Sequence, residues 1–369
     1  MFCLNFVLAT RWQWVEQLFG GLDKVYQAHA LVGKAALTMI LLHLAILVVQ
    51  AIPETTLLTR YLLPGADIAY TLGLVSVVLL TALIVMTLWV KLKYEIWLKT
   101  HQYLGIPYIL GGLHAIVLQT DWYMILLTLV GGYAWFYSLI LYGRHAPQSN
   151  GNILQVTPRG AITEIVFQLN KPMRVQPGQF IFFSVRHSTS QIPEERHPFS
   201  ISKIIDPYTF RISVKSLGDY TAQLTQLKPG DQITVFGPHG RFGQMRSKNA
   251  QVWVAGGIGI TPFLSLLQAE ASHPQPRPVH LIWAVKHVDE AIYHQEIQEY
   301  LQHASHVSYH LQQGRVSTHL LKQVIGERFS EDADVLMCGP VPMMHTLTAE
   351  WRKQGKPANK IFSEEFAMR

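Results

Sequence analysis

HALVGKAALTMILLH, residues 29–43, is an apolar helical run that opens and closes on histidine. One lysine interrupts it, and the rest is almost wholly Ala, Leu, Met, Ile and Gly. HQYLGIPYILGGLH, residues 101–114, repeats the arrangement. Ionisable groups at membrane depth are costly and point to function by default. How these four histidines are explained decides the fold of the first half of the chain.

The 369 residues are 49% apolar, with a mean hydropathy of +0.17, but the average conceals two halves. Residues 1–143 are dominated by long apolar runs, whereas 150–369 alternate short strands, turns and charged segments. The polar stretch LYGRHAPQSNGN (141–152) separates them. Three domains are expected: a helical membrane domain over 1–146, an antiparallel β-barrel over 147–248 and an α/β domain over 249–369. A bilayer span takes ~20 apolar residues. Residues 67–90 (DIAYTLGLVSVVLLTALIVMTLWV) satisfy this outright, and 27–49, 98–118 and 122–142 do so once their histidines are accounted for. Residues 1–20 are read as the first of five helices. The first residues lack a basic segment, so no cleavable signal peptide is expected.

Orientation follows from lysine and arginine in the short loops. Lys91, Lys93 and Lys99 share one loop, Lys24 precedes the second helix and Arg144 follows the last, while the opposite loops hold Glu54, Arg60 and Asp121. The Lys-rich side and the soluble half are therefore expected in the cytoplasm of a multi-pass plasma-membrane protein. The net charge of +6 needs no nucleic-acid partner. Cys3 and Cys338, on opposite sides, offer no disulfide or metal framework.

His29 and His43 are separated by ~21 Å of helix rise and fall only about 40° short of four full turns, so both rings share a face. His101 and His114 fall about 140° short in a straight helix. Gly105, Pro107, Gly111 and Gly112 lie between them and supply causes for a distortion. The two helices run parallel, which sets His29 against His101 near the cytoplasm and His43 against His114 near the far surface. Such pairs suit two bis-histidine haems stacked as electron carriers; interfacial or hydrogen-bonded histidines are the alternative. Arg11 and Lys34 either neutralise haem propionates or snorkel to the interface.

In the soluble half, AITEIVFQLN, GQFIFFSV, YTFRISVKS and DQITVFGP read as short strands of an antiparallel barrel. RHPFSIS (196–202) sets an aromatic and then a hydroxyl on a strand, which suits stacking on a flavin and hydrogen bonding to its edge. KSLGDYT (215–221) offers Lys215, Gly218, Tyr220 and Thr221 at a helix start suited to a pyrophosphate. VWVAGGIGITPFLSLL (252–267) is an apolar strand, a glycine turn and a helix. Gly256, Gly257 and Gly259 admit a dinucleotide backbone to backbone, and Thr261 and Pro262 open the helix. VHLIWAVK and ADVLMCGPVPMM continue the α/β alternation; Cys338 and Gly339 also read simply as a tight turn after a buried strand.

These motifs together resemble the ferric reductase and NADPH oxidase superfamily over essentially the whole chain. The resemblance assigns haem ligation to His29, His43, His101 and His114. It assigns the flavin motif H-P-F-[ST] to His197, Pro198, Phe199 and Ser200. The glycine-rich loop is Gly256–Pro262, and C-G-P-x-x-M is Cys338, Gly339 and Pro340 through Met343. It implies FAD as the flavin and NADPH or NADH as donor, with Cys338 and a flavin-covering Phe366, preceded by Glu364 and Glu365, as catalytic residues. Six membrane helices are usual in the family and five fit here, so either a first helix is missing or this member does without it. Three residues also follow Phe366, where the eukaryotic oxidases end on their aromatic.

The short loop QTDW (119–122) cannot roof an outer haem, which favours a ferric chelate as acceptor over O2 reduced to superoxide. A haem–flavin redox sensor or partner subunit without turnover is the reading from another class. For the donor, Lys286 and Arg315 suit a 2′-phosphate, and Asp289 or Glu290 suits the ribose hydroxyl of NAD; NADPH is favoured.

Overall fold

A computed structural model describes the chain except residues 66, 93, 142–147, 191, 245–248, 327–332 and 365–369. It divides into two compact units, Met1–Ala146 and Pro147–Arg369.

The first unit is helical: α1 (Phe2–Ala9), α2 (Gln13–Phe19), α3 (Leu22–Ala51), α4 (Thr55–Leu62), α5 (Ile68–Leu88), α6 (Tyr94–Gln102), α7 (Gly105–Leu118) and α8 (Trp122–Phe136), the last continuing as a π-helical turn to Leu141. Three stretches among the described residues are long and apolar enough to cross a membrane: Leu22–Ala51, Ile68–Leu88 and Trp122–Leu141. Their outward residues include Leu31, Ile46, Val78 and Leu129, all exposed, as expected of surfaces solvated by lipid.

Two expected spans differ in the structure. Residues 1–20 form two short helices, because the chain turns between them through Arg11 at φ 55°. The span expected at 98–118 is broken into α6 and α7 at Tyr103 and Leu104. The break has a packing cause. A Cβ at Gly105 would overlap the Trp135 indole, and Trp135 Nε1 donates to the Gln102 carbonyl at 2.8 Å. The indole thus occupies an acceptor that helix continuation would use. Pro107, lacking an N–H, sits in the first turn of α7, where that donor is not needed.

The second unit opens with β1 (Gln148–Arg159), β2 (Ile162–Leu169), β3 (Phe180–His187), β4 (His197–Ile204), β5 (Thr209–Lys215), the short α9 (Asp219–Gln223) and β6 (Gln232–His239). These strands close an antiparallel barrel in the order β1-β2-β5-β4-β3-β6. Period-two alternation delivers Ile165 and Phe167, Ile181 and Phe183, and Phe210 and Ile212 to its core.

Then follow β7 (Gln251–Gly256), α10 (Thr261–Ser272), β8 (Val279–Val285), α11 (His294–Leu301), β9 (Val307–Gln313), α12 (Thr318–Ile325), β10 (Asp334–Cys338), α13 (Val341–Lys353) and β11 (Ile361–Glu364). The strands form one parallel sheet ordered β11-β10-β7-β8-β9. Trp253 and Ala255 pack with Phe263 and Ile297 on one face; Val252 and Val254 pack with Leu321, Leu347 and Trp351 on the other. Strand order reverses between β7 and β10, and ligands of open α/β sheets bind beyond the carboxyl ends of strands at such a point.

Candidate functional site

At that switch point the glycine turn and the Cys338 turn touch. Cys338 pairs with Ala255 across β10 and β7. A Cβ at Gly256 would come 2.7 Å from Pro340 Cδ, one at Gly339 would come 2.9 Å from Gly256 Cα, and one at Gly259 would collide with the Cys338 carbonyl. Only hydrogen fits at these three positions, so the two turns form one crevice walled by backbone. Thr261 is buried and donates to the Ile258 carbonyl at 3.1 Å, fixing the start of α10, and Pro262 stands in its first turn. Cys338 is fully buried. Its strand neighbour in register is Glu364 on β11, itself buried. Glu365 and Phe366 lie outside the described residues.

Lys286 and Arg315 are both exposed, just past the carboxyl ends of β8 and β9. Those ends are tied by Val285 opposite Gln313 and by Gly314 N donating to the Val285 carbonyl at 2.8 Å, so the two cations share one rim of the sheet. Glu290 reaches Lys215 at 3.9 Å, which occupies the carboxylate otherwise free for a ribose; Asp289 is exposed.

On the barrel, β4 carries the flavin motif. Phe199 packs against the core, its ring 6.2 Å from Phe183, while remaining partly accessible. Ser200 is 3% exposed, and its buried Oγ has no hydrogen-bond partner among the described residues. A buried hydroxyl left unmatched is costly, and this one matches the need of a flavin edge for a donor. Pro198 is half-buried beside them, opposite Phe182. His197 stacks on Tyr220 at 4.1 Å and shares its Nε2 with Glu195 Oε2 at 2.7 Å. Tyr220 donates to the Glu195 carbonyl at 3.3 Å, and burial raises its phenol above the ordinary range. The KSLGDYT turn is occupied from within: the N–H groups of Leu217 and Gly218 donate to Thr221 Oγ1 at 2.9 and 3.1 Å. Those two donors are therefore committed to capping α9. Glu195 escaped the sequence reading: it lies two residues before His197, in the irregular segment ahead of β4, and only the fold brings its carboxylate to that ring.

In the helical unit, His29 and His101 come together, ring centroids 5.9 Å apart. His29 Nδ1 lies 3.0 Å from the Asn5 carbonyl, and His114 Nδ1 lies 2.7 Å from the Ala69 carbonyl. Metal-ligating histidines characteristically commit one ring nitrogen to such an acceptor and turn the other to the metal. His101 stacks on Trp97 at 5.1 Å, with Nδ1 3.4 Å from Thr87 Oγ1. Ala69 and Thr87 are about five full turns apart on α5, so the broken α6–α7 pair brings His101 and His114 to one side of α5. The ring of His114 also fills the space a Cβ at Gly73 would take, at 2.8 Å. His43 is exposed on α3, and no ring contact joins it to His114 among the described residues. The Arg11 guanidinium sits 5.8 Å over the Tyr26 ring, about one turn before His29 on α3. Lys34 is exposed.

Comparison with known proteins matches residues 1–112 to a ferric reductase like transmembrane component, 152–235 to an FAD-binding domain and 253–348 to an oxidoreductase NAD-binding domain. Among curated proteins, the toluate 1,2-dioxygenase electron transfer component of Pseudomonas putida is 28% identical over 206 residues, covering 52% of this chain and 58% of the relative. A flavohemoprotein of Bacillus subtilis is 28% identical, covering 49% and 50%. The probable dihydroorotate dehydrogenase B (NAD(+)) electron transfer subunit of Thermococcus kodakarensis is 30% identical, covering 48% and 69%. The chain thus spans little more than half the length of the first two of these relatives. Among solved structures, flavohemoglobin from Malassezia yamatoensis with bound FAD and heme has a TM-score of 0.56 at 17% identity, covering 94% of this chain and 98% of that one. The FAD/NAD binding domain of a Vibrio cholerae nitric oxide dioxygenase has a TM-score of 0.52 at 20% identity, covering 59% and 98%. Both are likenesses of fold.

Proposed function

We propose, from the succession of a ferric reductase like transmembrane component, an FAD-binding domain and an oxidoreductase NAD-binding domain expected of the ferric reductase and NADPH oxidase superfamily, that the chain is a multi-pass membrane enzyme carrying electrons from cytosolic NAD(P)H to an extracytoplasmic acceptor, with FAD and two b-type haems as cofactors. The favoured acceptor is a ferric chelate and the favoured donor NADPH. When bound, FAD supplies two-electron acceptance with one-electron release, and haem iron supplies one-electron transfer.

The observation that carries the reading is the His29–His101 pair within an apolar bundle, in the same chain as a glycine-walled switch point. His29 and His101, with ring centroids 5.9 Å apart, would hold one haem. His43 and His114 would hold the second haem, with Arg11 at the propionate end of the first. The chain's own groups then do separate work. Ser200 Oγ orients the flavin edge, and Phe199 backs the ring. Gly256, Gly257 and Gly259 let the dinucleotide approach the backbone, and Cys338 closes the crevice wall against water. Lys286 and Arg315 attract the 2′-phosphate. Phe366, which lies outside the described residues, would serve as a cover for the flavin when no nicotinamide is bound.

The test is steady-state oxidation of NADPH and NADH by the full-length protein in liposomes, with ferric chelate or O2 offered separately. Sustained turnover that depends on ferric chelate supports the reading. Turnover with O2 alone replaces the acceptor, and a single reduction without turnover replaces the enzyme by a sensor.

A further inference from the structure

Electron transfer from a nicotinamide to a flavin needs the glycine turn and β4 held in register, since a 1 Å misplacement of reacting groups costs on the order of 10²-fold in rate. The two belong to different sheets, and a continuous buried column joins them.

On the barrel side Arg211, on β5, is 8% exposed. Its Nε donates to Ser202 Oγ at 3.1 Å, and Ser202 lies two positions beyond Ser200 on β4. Its Nη1 meets Glu164 at 3.3 Å, and its Nη2 meets Glu296 on α11 at 2.9 Å. The guanidinium stands 5.4 Å over the ring of Tyr293, just before α11. Tyr293 packs on Trp283 of β8 with centroids 6.3 Å apart, and Trp283 Nε1 donates to the Gly257 carbonyl at 2.9 Å. Tyr293 and Trp283 are each 1% exposed. A guanidinium this buried is tolerable because its donors are met by two carboxylates and a hydroxyl, and that same saturation leaves it one geometry.

We propose that Trp283 and Tyr293, anchored by Arg211 and Glu296, are positioning residues that set the place of the Gly256–Gly257 turn relative to β4. This rests on the reading that the turn takes a nicotinamide dinucleotide and β4 a flavin. None of these side chains touches the reacting atoms; they act through the carbonyl of Gly257.

Hydrogen exchange of the purified full-length protein, followed by mass spectrometry, reads the column without turnover. Trp283→Phe keeps the ring and removes only the indole donor; Glu296→Gln keeps the shape and removes the charge that Arg211 holds. Each variant is expected to speed amide exchange in residues 256–262 about tenfold, and the double variant to add less than twofold, because both act through one path. Flavin reduction by saturating NAD(P)H should slow about tenfold in each, with FAD occupancy unchanged and dinucleotide affinity altered less than threefold. Exchange in Glu296→Gln that rises only in α11 and β5, or effects that multiply in the double variant, overturns the column. If Trp283→Phe does not fold, the remote response of residues 256–262 to Glu296→Gln decides alone. A wild-type protein reduced by neither dinucleotide overturns the proposed function, while the exchange result still decides the column.

Discussion

The imidazoles of His29 and His101 stand with centroids 5.9 Å apart and planes inclined at 66°, the first anchored through Nδ1 to the Asn5 carbonyl. The pair joins α3 to α6, helices that no regular turn connects. If it holds one haem and His43 with His114 a second, the wild type contains two haems per chain. His101→Ala and His43→Ala should each retain one, of different midpoint potential. Haem quantified per polypeptide, with a potentiometric titration of each variant, checks this; one haem in the wild type refutes the second site.

Ser200 presents a buried hydroxyl without a partner. Ser200→Ala should leave the flavin-free protein at least as stable as wild type, because the unmatched group is removed. One hydrogen bond contributes about 0.5–1.5 kcal/mol, so FAD affinity should fall up to about tenfold. Thermal unfolding without FAD and fluorescence titration with FAD measure the two effects separately.

Gly259→Ala forces a methyl into the Cys338 carbonyl. Overpacking of this kind costs about 1–3 kcal/mol, and relief requires the two turns to part. Dinucleotide binding should be lost while the barrel still takes FAD. Isothermal titration with NADP+ and with FAD distinguishes this from global unfolding.

Lys286 and Arg315 share the rim beyond β8 and β9. A hydrogen bond to a charged group contributes about 1.5–3 kcal/mol, so Arg315→Ala should raise KM for NADPH about tenfold or more and leave KM for NADH within twofold. Equal effects on both donors would remove the 2′-phosphate role.

His280, on β8, is partly buried, and that burial pushes its imidazole below the ordinary value. The unfolded chain therefore takes up the proton more readily. The stability this residue contributes is complete above about pH 6.5 and is lost as pH falls below it. His280→Asn should flatten the acid side of the Tm–pH profile and leave the alkaline side unchanged, as scanning calorimetry from pH 5 to 8 would record.

Much of this molecule was legible in its sequence because the signals are local. Apolar runs mark α3, α5 and α8, since each such helix satisfies its backbone internally and needs only lipid around it. Alternation marks the barrel strands. The glycine turn at 256–259 and the Cys338 turn follow buried strands, and their backbone demands are written in the residues themselves. What the sequence could not determine depends on partners distant along the chain. The single distorted span expected at 98–118 is instead broken into two helices because Trp135, from α8, takes the Gln102 carbonyl and fills the space beside Gly105. The glycine and proline were visible, but the wedge that used them was not. Likewise Arg211, Tyr293 and Trp283 read as an ordinary strand cation and two core aromatics; only folding sets a guanidinium over one ring and the indole of the other on Gly257. Local pattern determines which elements form, whereas the orientation of one side chain toward another is set by the packing of elements that meet only in the folded chain.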